Sequence, residues 1–482
     1  MTKQFRKLSG RKHTTSCFEI LCGLNSLRSS LLCGETWVHF LPQRSEERRG
    51  STRQYTNSFS RPPKEHDLKT SLEKFDNGPG GWFGWTENAR GPEPLERDKE
   101  AAMNVRHVIA LAAMMLFLCA SASAKEPETF TFAKADDQIV RHSEGSAVEL
   151  KDGRLMLVWQ EFRKGTKGDS DFYPARLVSK LSQDGGRTWG NYRVLVEIAP
   201  GDLNVFSPSL LRLRDGSILL AFLRKHDFEK PTDQYTPTSA VCMISRDEGQ
   251  TFEPLSTIWS RKRMHLCNNT LKQLSTGRIV LPSDRDNSTK EKPDNWACGC
   301  VFSDDGGKTW TVSDNFVELP KRGGMEPHVE ELNDGRLLMI MRTMLGAIHK
   351  SNSSDGGRTW SKGESLGVES PQSCPDLLKH PTTGDLVLIW NAAKYDPKWF
   401  SHEGKRTPLS VALSNDHGKT WSKPRHIETD PSRAFSNPGA LFTSQGTLFV
   451  NYWTCRYEPS GAMVSYPIDL KIAIVDGKWL LD

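Results

Sequence analysis

SDDGGKTW, residues 303–310, is the stretch from which the rest of the chain can be read. The same octamer returns as SQDGGRTW (182–189), SRDEGQTF (245–252), SSDGGRTW (353–360) and SNDHGKTW (414–421), with starts 63, 58, 50 and 61 residues apart. The shared form is Ser-x-Asp-x-Gly-x-Thr-aromatic. Its Asp can accept from nearby backbone N–H groups, its Gly can supply a positive φ, and its aromatic is expected to plug into a core. Repeats at this interval mean a repeated supersecondary unit. A second pattern runs in step with the first. Apolar, strand-like runs follow a glycine turn six times: RLMLVW after Gly153, SILLAF after Gly216, RIVLP after Gly277, RLLMIM after Gly335, DLVLIW after Gly384 and TLFVNYW after Gly446. Two strands before each octamer and more β-pattern after it make about four strands per unit, the size of a propeller blade. The chain is therefore expected to be all-β, a propeller of six blades. The sixth unit has no octamer, and the strand-like Thr129–Phe132 is expected to complete it and close the ring.

Composition narrows the function. With 482 residues, 36% hydrophobic and 26% charged, the chain is too long for one ordinary core and too polar for a multi-pass membrane protein. The formal charge of +5 is unevenly placed. Residues 1–124 hold 18 Lys and Arg against 13 Asp and Glu, leaving 46 of each sign in residues 125–482. A basic partner-binding surface spread over the whole protein, such as nucleic acid attracts, is therefore excluded.

Residues 1–102 are rich in Arg, Ser, Gly and Pro, without a sustained period of 2 or 3.6, and are expected to be disordered or an over-extended start. From Met103 the chain has the three parts of a secretory leader: basic Arg106-His107, the apolar Val108–Cys119, and the small-residue cleavage site Ala122-Ser123-Ala124. Twelve apolar residues are too few to span a bilayer, which needs about 20. We expect translation from Met103, a signal peptide over 103–124, and a secreted or periplasmic domain over 125–482 with no stable membrane span. Six cysteines follow Ala124, and that compartment permits disulfides among them. No His/Cys/Asp spacing matches a metal site, and no Gly-rich loop joins a strand to a helix, so neither a metal nor a nucleotide cofactor is expected.

The octamers and the six-strand pattern together resemble the sialidase (neuraminidase) superfamily, whose six-bladed propellers carry such Asp-boxes. The resemblance covers about residues 125–482 and implies that the octamer Asp residues are structural, because family boxes lie away from the active site. It also implies an arginine triad for a sugar carboxylate, a task suited to a permanently charged bidentate fork. In GGMEPHVEELNDGRLLMIMRT, Glu326 and Arg342 stand 16 residues apart, matching the family's nucleophile-activating carboxylate and a triad arginine. Arg406, eight residues before Ser414, matches a second. Arg141 sits where the family has Arg-Ile-Pro, although His142-Ser143 replace Ile-Pro here, with Glu144 beside it at the rim. The family's acid is an Asp about 11 residues before the first box, which selects Asp171 and keeps Asp169 in reserve.

One departure is large. The family's nucleophile is a Tyr in a Tyr-Ser pattern opening blade six, and this chain has Phe435-Ser436. Tyr395 and Tyr457 are other tyrosines in loops that could face the centre. Asn268 and Asn269, opening blade three, are candidates to read a sugar hydroxyl or acyl group. Ser373-Cys374-Pro375 opens blade five in the same way, and Arg224 and His226 close the second strand of blade two. The resemblance implies an exo-α-sialidase-like glycoside hydrolase acting on sialylated or other acidic glycans. The alternative is a glycan-binding propeller that has lost its nucleophile.

Overall fold

A computed structural model describes residues 125–165, 170–226, 238–259, 262–399, 402–464 and 466–481. The leader and Asp169 lie outside the described residues. The chain forms six antiparallel sheets in sequence order, each running from an inner strand outward. The inner and second strands are Ile139–Glu149 and Leu155–Arg163 in blade 1, and Asp202–Arg212 and Ile218–His226 in blade 2. Blades 4, 5 and 6 follow with Gly324–Glu331 and Leu337–Thr343, Asp376–Lys379 and Leu386–Asn391, and Arg433–Phe442 and Leu448–Arg456. In blade 3 the inner strand is broken into Met264–His265 and Lys272–Gln273, both paired with Ile279–Asp286. Glu128–Ala133 pairs antiparallel with Asp469–Val475, Glu128 opposite Ile474, so the stretch expected to close the ring does so as the outer strand of blade 6.

The second strands read as unbroken apolar runs because both of their faces are buried. In blade 1, Leu155, Leu157 and Trp159 face Leu470 and Ile472 of blade 6, while Met156 and Val158 face Leu210 and Leu220 of blade 2. A fully buried side chain of this size stabilises by about 1.5–3 kcal/mol relative to exposure. Six such interfaces, one between each pair of neighbouring blades, form the core. Among the described residues, helix is confined to Ser170–Phe172 and Gly477–Leu481. No described helix is long and apolar enough to cross a membrane.

The octamers build one turn five times. In the third, Ser303 Oγ donates to Asp305 Oδ1 (2.8 Å) and accepts from Gly307 N–H (2.8 Å). Asp305 also accepts from the Thr309 N–H (2.9 Å) and hydroxyl (2.6 Å), and Trp310 Nε1 donates to the Gly307 carbonyl (3.0 Å). These bonds hold the Asp305 carboxyl down at about 2. The turn also explains which glycine is dispensable. Both central positions have positive φ, but Glu248 (59°) and His417 (64°) fill the first of them without glycine. At the second, a Cβ on Gly186 would come within 2.9 Å of the Phe449 ring. Of the box aromatics only Trp360 is fully buried; the others pack half-buried at the interface edges.

Candidate active site

Glycine turns and octamers occupy one end of the ring, so the inner strands begin, and the second strands finish, at the opposite end. There the inner strands of blades 1, 2, 4 and 6 each carry a bulge, seen as register shifts between Ser143 and Ser146, Phe206 and Ser209, Met325 and His328, and Ser436 and Gly439. Within each bulge a non-glycine residue holds positive φ: Glu144 (42°), Ser207 (51°), Glu326 (47°) and Asn437 (48°). Such conformations cost about 1–3 kcal/mol each and re-aim a side chain out of the pleat. Glu144, Glu326 and Asn437 are thereby turned into a cavity of about 520 Å³.

Six of the predicted residues line this one cavity: Arg141, Glu144, Asp171, Glu326, Arg342 and Arg406. The three arginines come from blades 1, 4 and 5, and each is at most 8% exposed. Arg342 Nη1 donates to Glu326 Oε2 at 2.5 Å. Burial would raise the Glu326 carboxyl, but Arg342 outweighs it and the net shift is downward. Arg406 Nη1 donates to Ser436 Oγ (2.9 Å) and Nη2 to the Gln372 carbonyl (3.0 Å). Burial, and then the charge of Arg342, push Arg406 down to about 10. Arg141 donates to Glu144 Oε1 (2.8 Å), Asp171 Oδ1 (2.5 Å) and Ser143 Oγ (2.8 Å). Burial raises the Glu144 carboxyl despite that pairing. At Asp171 the surrounding walls also oppose ionisation, yet Arg141 and Lys225 outweigh them and hold the carboxyl well below its usual range. Asp171 is nonetheless half-exposed, at the mouth.

Several wall residues escaped the sequence reading. Lys225, between Arg224 and His226, is the member of that strand which faces the cavity; its ammonium donates to the Asp171 carbonyl (2.8 Å), and burial lowers it to about 8. Arg224 and His226 both turn instead to Asp202. Arg263 and Arg322 also line the cavity, and both precede the inner strand of their blade, as Arg141 opens its own; that shared position is the signal that points to them. His265 stacks on Trp296 (4.1 Å, 16°) and is kept neutral by burial and by Arg263 and Lys225. His402, also on the wall, is lowered in the same way by burial and by Arg406 and Arg342. Six cationic side chains and four carboxylates face the cavity, so a domain of zero formal charge carries a positive pocket.

Behind Glu326 lies Asp284, fully buried, accepting the Glu326 N–H at 2.8 Å. Burial pushes its carboxyl up to about 7, against the Glu326 N–H, which favours the ionised form; the negative charge of Glu326 adds a smaller upward push.

The structure does not bring Asn268 and Asn269 to the wall. Asn268 Nδ2 donates to the Gly145 carbonyl (2.8 Å) and Asn269 Nδ2 to the Ala440 carbonyl (2.8 Å), tying blade 3 to blades 1 and 6 around the axis. Backbone carbonyls with no strand partner there need these donors. Phe435 is also away from the cavity, at 0% exposure in the core between blades 5 and 6; Asn437 faces the cavity instead. Among the described residues no tyrosine hydrogen-bonds Glu326. Tyr457 accepts the Arg406 backbone N–H (2.6 Å), and its phenol is pushed up to about 12 by burial. Tyr395 donates to Glu403 (2.7 Å) and accepts from Lys321 (2.9 Å).

Residues 204–450 match the family model of the BNR repeat-like domain. The fold is also that of several solved structures. A protein of unknown function from Dyadobacter fermentans DSM 18053 matches with a TM-score of 0.57 at 18% identity, over 74% of this chain and 100% of that one. The Hadza microbial sialidase Hz136 matches with a TM-score of 0.56 at 19% identity, over 73% and 69%. The NanB sialidase from Streptococcus pneumoniae matches with a TM-score of 0.55 at 14% identity, over 73% and 70%. At these identities the likeness is one of fold, the six-bladed propeller.

Proposed function

The chain belongs to the BNR repeat-like domain family, and we propose that it is a secreted glycoside hydrolase removing terminal sialic acid, or a related acidic sugar, from glycoconjugates. One observation carries this reading: guanidinium groups from three blades share a cavity with the carboxylates of Asp171 and Glu326. Arg141, Arg342 and Arg406 clamp the sugar carboxylate. That carboxylate competes with Asp171 for Arg141. Once displaced, Asp171 loses the nearer of the two cations that keep it ionised, its carboxyl shifts upward, and on taking up a proton it serves as the acid for the departing oxygen. The proton donor is thereby loaded only when an anionic substrate is bound. Glu326, held as a carboxylate by Arg342, takes the proton of the attacking group. With Phe435 in the core, we assign that attack to water, so the sugar is released with inverted configuration.

A second reading, a glycan-binding propeller without turnover, is favoured by the burial of Phe435 and by the ionised state of Asp171 beside Arg141. A fluorogenic sialoside separates the two. Turnover by the purified chain, abolished in Arg342→Ala and in Glu326→Gln, supports the hydrolase. Saturable sialic acid binding without turnover, lost in Arg342→Ala, supports the binding protein, and neither result sinks both. Anomer-resolved NMR of the first product tests inversion. A secreted product whose first residue is Lys125 would establish the leader.

A further inference from the structure

Below the clamp, three blades bring together side chains that the hydrolytic reading leaves unused. Cys267 lies in the turn between the two pieces of the blade 3 inner strand, His328 in the inner strand of blade 4, and Cys374 just before that of blade 5. Their exposures are 2%, 0% and 0%. The donor atoms of all three lie within 4.8 Å of one another. Cys267 Sγ and Cys374 Sγ are 2.9 Å apart, closer than unbonded sulfur atoms rest. Cys374 Sγ is 3.8 Å from His328 Nε2. The other imidazole nitrogen, Nδ1, stands 2.9 Å from Asp376 Oδ1. Metal-bound histidines are commonly oriented this way, one nitrogen toward the ion and the other beside a carboxylate.

We propose that Cys267, His328 and Cys374 bind one soft, closed-shell cation, Zn(II) or Cu(I), in this buried cluster, with Asp376 beside the imidazole. Thiolates with an imidazole select this class of ion over calcium or magnesium. Bond lengths of about 2.3 Å to sulfur and about 2.0–2.1 Å to nitrogen place such ligands roughly 3.5–4 Å apart. The Cys374–His328 separation meets that already, and the two sulfurs reach it by parting slightly. On binding, the two sulfurs ligate as thiolates and His328 as a neutral imidazole, so whatever protons these three donor atoms carry are released and no electrons move. The sequence hides the site because its ligands are scattered over three blades.

The position gives the ion a task. His328 lies two residues beyond Glu326 on the same strand. Cys374 lies two residues beyond Gln372, whose carbonyl holds Arg406. An ion joining them fixes the backbone under both the carboxylate and one arm of the clamp, whether or not the cavity performs hydrolysis.

A closed site fills as the chain folds, so the test is made by refolding. The full chain is unfolded in denaturant with a chelator, then refolded with Zn(II), with Co(II) as a spectroscopic probe, or without metal. We expect one ion per chain by elemental mass spectrometry, retained through gel filtration in chelator. Thiolate-to-cobalt charge-transfer absorption and a higher melting temperature than that of the metal-free protein should accompany it. Cys374→Ser should lose the ion and Cys242→Ser, altered in a different interface, should keep it. If the serine variant does not fold, the stoichiometry and cobalt spectrum of the unaltered chain decide alone. A folded metal-free protein whose intact mass is lower by two hydrogens, with Cys267 and Cys374 joined in its non-reduced peptide map, would overturn the proposal. Refolding that takes up no ion, with all the described cysteines alkylated as free thiols, overturns it equally.

Discussion

Restoring a phenol at position 435 is the informative experiment on the nucleophile, and Phe435→Tyr should harm the fold without creating activity. The Phe435 ring has no exposure and meets Leu448, Val450 and Tyr452, the last edge-on at 6.0 Å. A buried hydroxyl without a partner costs about 1–3 kcal/mol, and forcing an extra atom into a filled core costs about 1–3 kcal/mol more. The Lys471 ammonium, 5.7 Å from the ring centroid, does not relieve the first cost, because it already serves Glu428. A net loss of about 2–6 kcal/mol follows. With an unfolding entropy of about 2.1 cal/mol/K per residue over roughly 350 residues, that lowers the melting temperature by about 3–8 °C. Calorimetry at matched scan rate, together with the fluorogenic sialoside, reads both effects. An unchanged melting temperature accompanied by new or increased turnover would refute this reasoning and put residue 435 on the cavity wall.

Other consequences are equally direct. Asp284 is neutral in the fold at pH values where it ionises in the unfolded chain, so its contribution to stability falls as pH climbs from about 4 toward 7. Asp284→Asn should therefore raise the melting temperature at pH 8 more than at pH 5; the opposite order would contradict the raised carboxyl. The Asp305 carboxyl is shifted the other way, so its support is complete above about pH 4 and is lost as pH falls toward 2. Asp305→Asn should cost about 1–2 kcal/mol at pH 7, the hydrogen bonds being screened by solvent, and the gap in thermal stability should close near pH 2. Gly186→Ala drives a methyl into Phe449 and should cost about 2–4 kcal/mol in chemical denaturation. Gly185→Ala, where nothing but the end of Arg187 is near, should cost only the left-handed strain of about 1–2 kcal/mol.

The fold was legible because its information is local. Each octamer is a complete hydrogen-bonded turn and each glycine turn announces an inter-blade strand, so counting them was enough to find six blades and the closing strand. Much of the site was legible too, since Arg141, Asp171, Glu326, Arg342 and Arg406 do meet in one cavity. What went unread lies at the bulges and loop ends. A bulge adds a residue and breaks the alternation by which facing is inferred. In blade 6 the bulge follows Phe435-Ser436, the pair that resemblance matched to the family's nucleophile position, and puts Asn437 on the wall; the amides of Asn268 and Asn269 are instead claimed by backbone carbonyls at the axis. Lys225 was overlooked for a simpler reason: its neighbours Arg224 and His226 drew attention to the other face of the same strand.

The strand that seals the ring has a kinetic meaning. Glu128–Ala133 leaves the ribosome before every other strand of the propeller, while Asp469–Val475, against which it lies, leaves among the last. During synthesis the growing blades are therefore an open arc, with apolar faces bare at both ends. Only the final pairing removes those free edges, and it must bring together segments separated by nearly the whole described chain, a slow step by loop-closure entropy. The vulnerable period of this protein is thus the interval before closure, when a protease or another half-made copy meets an unsealed arc.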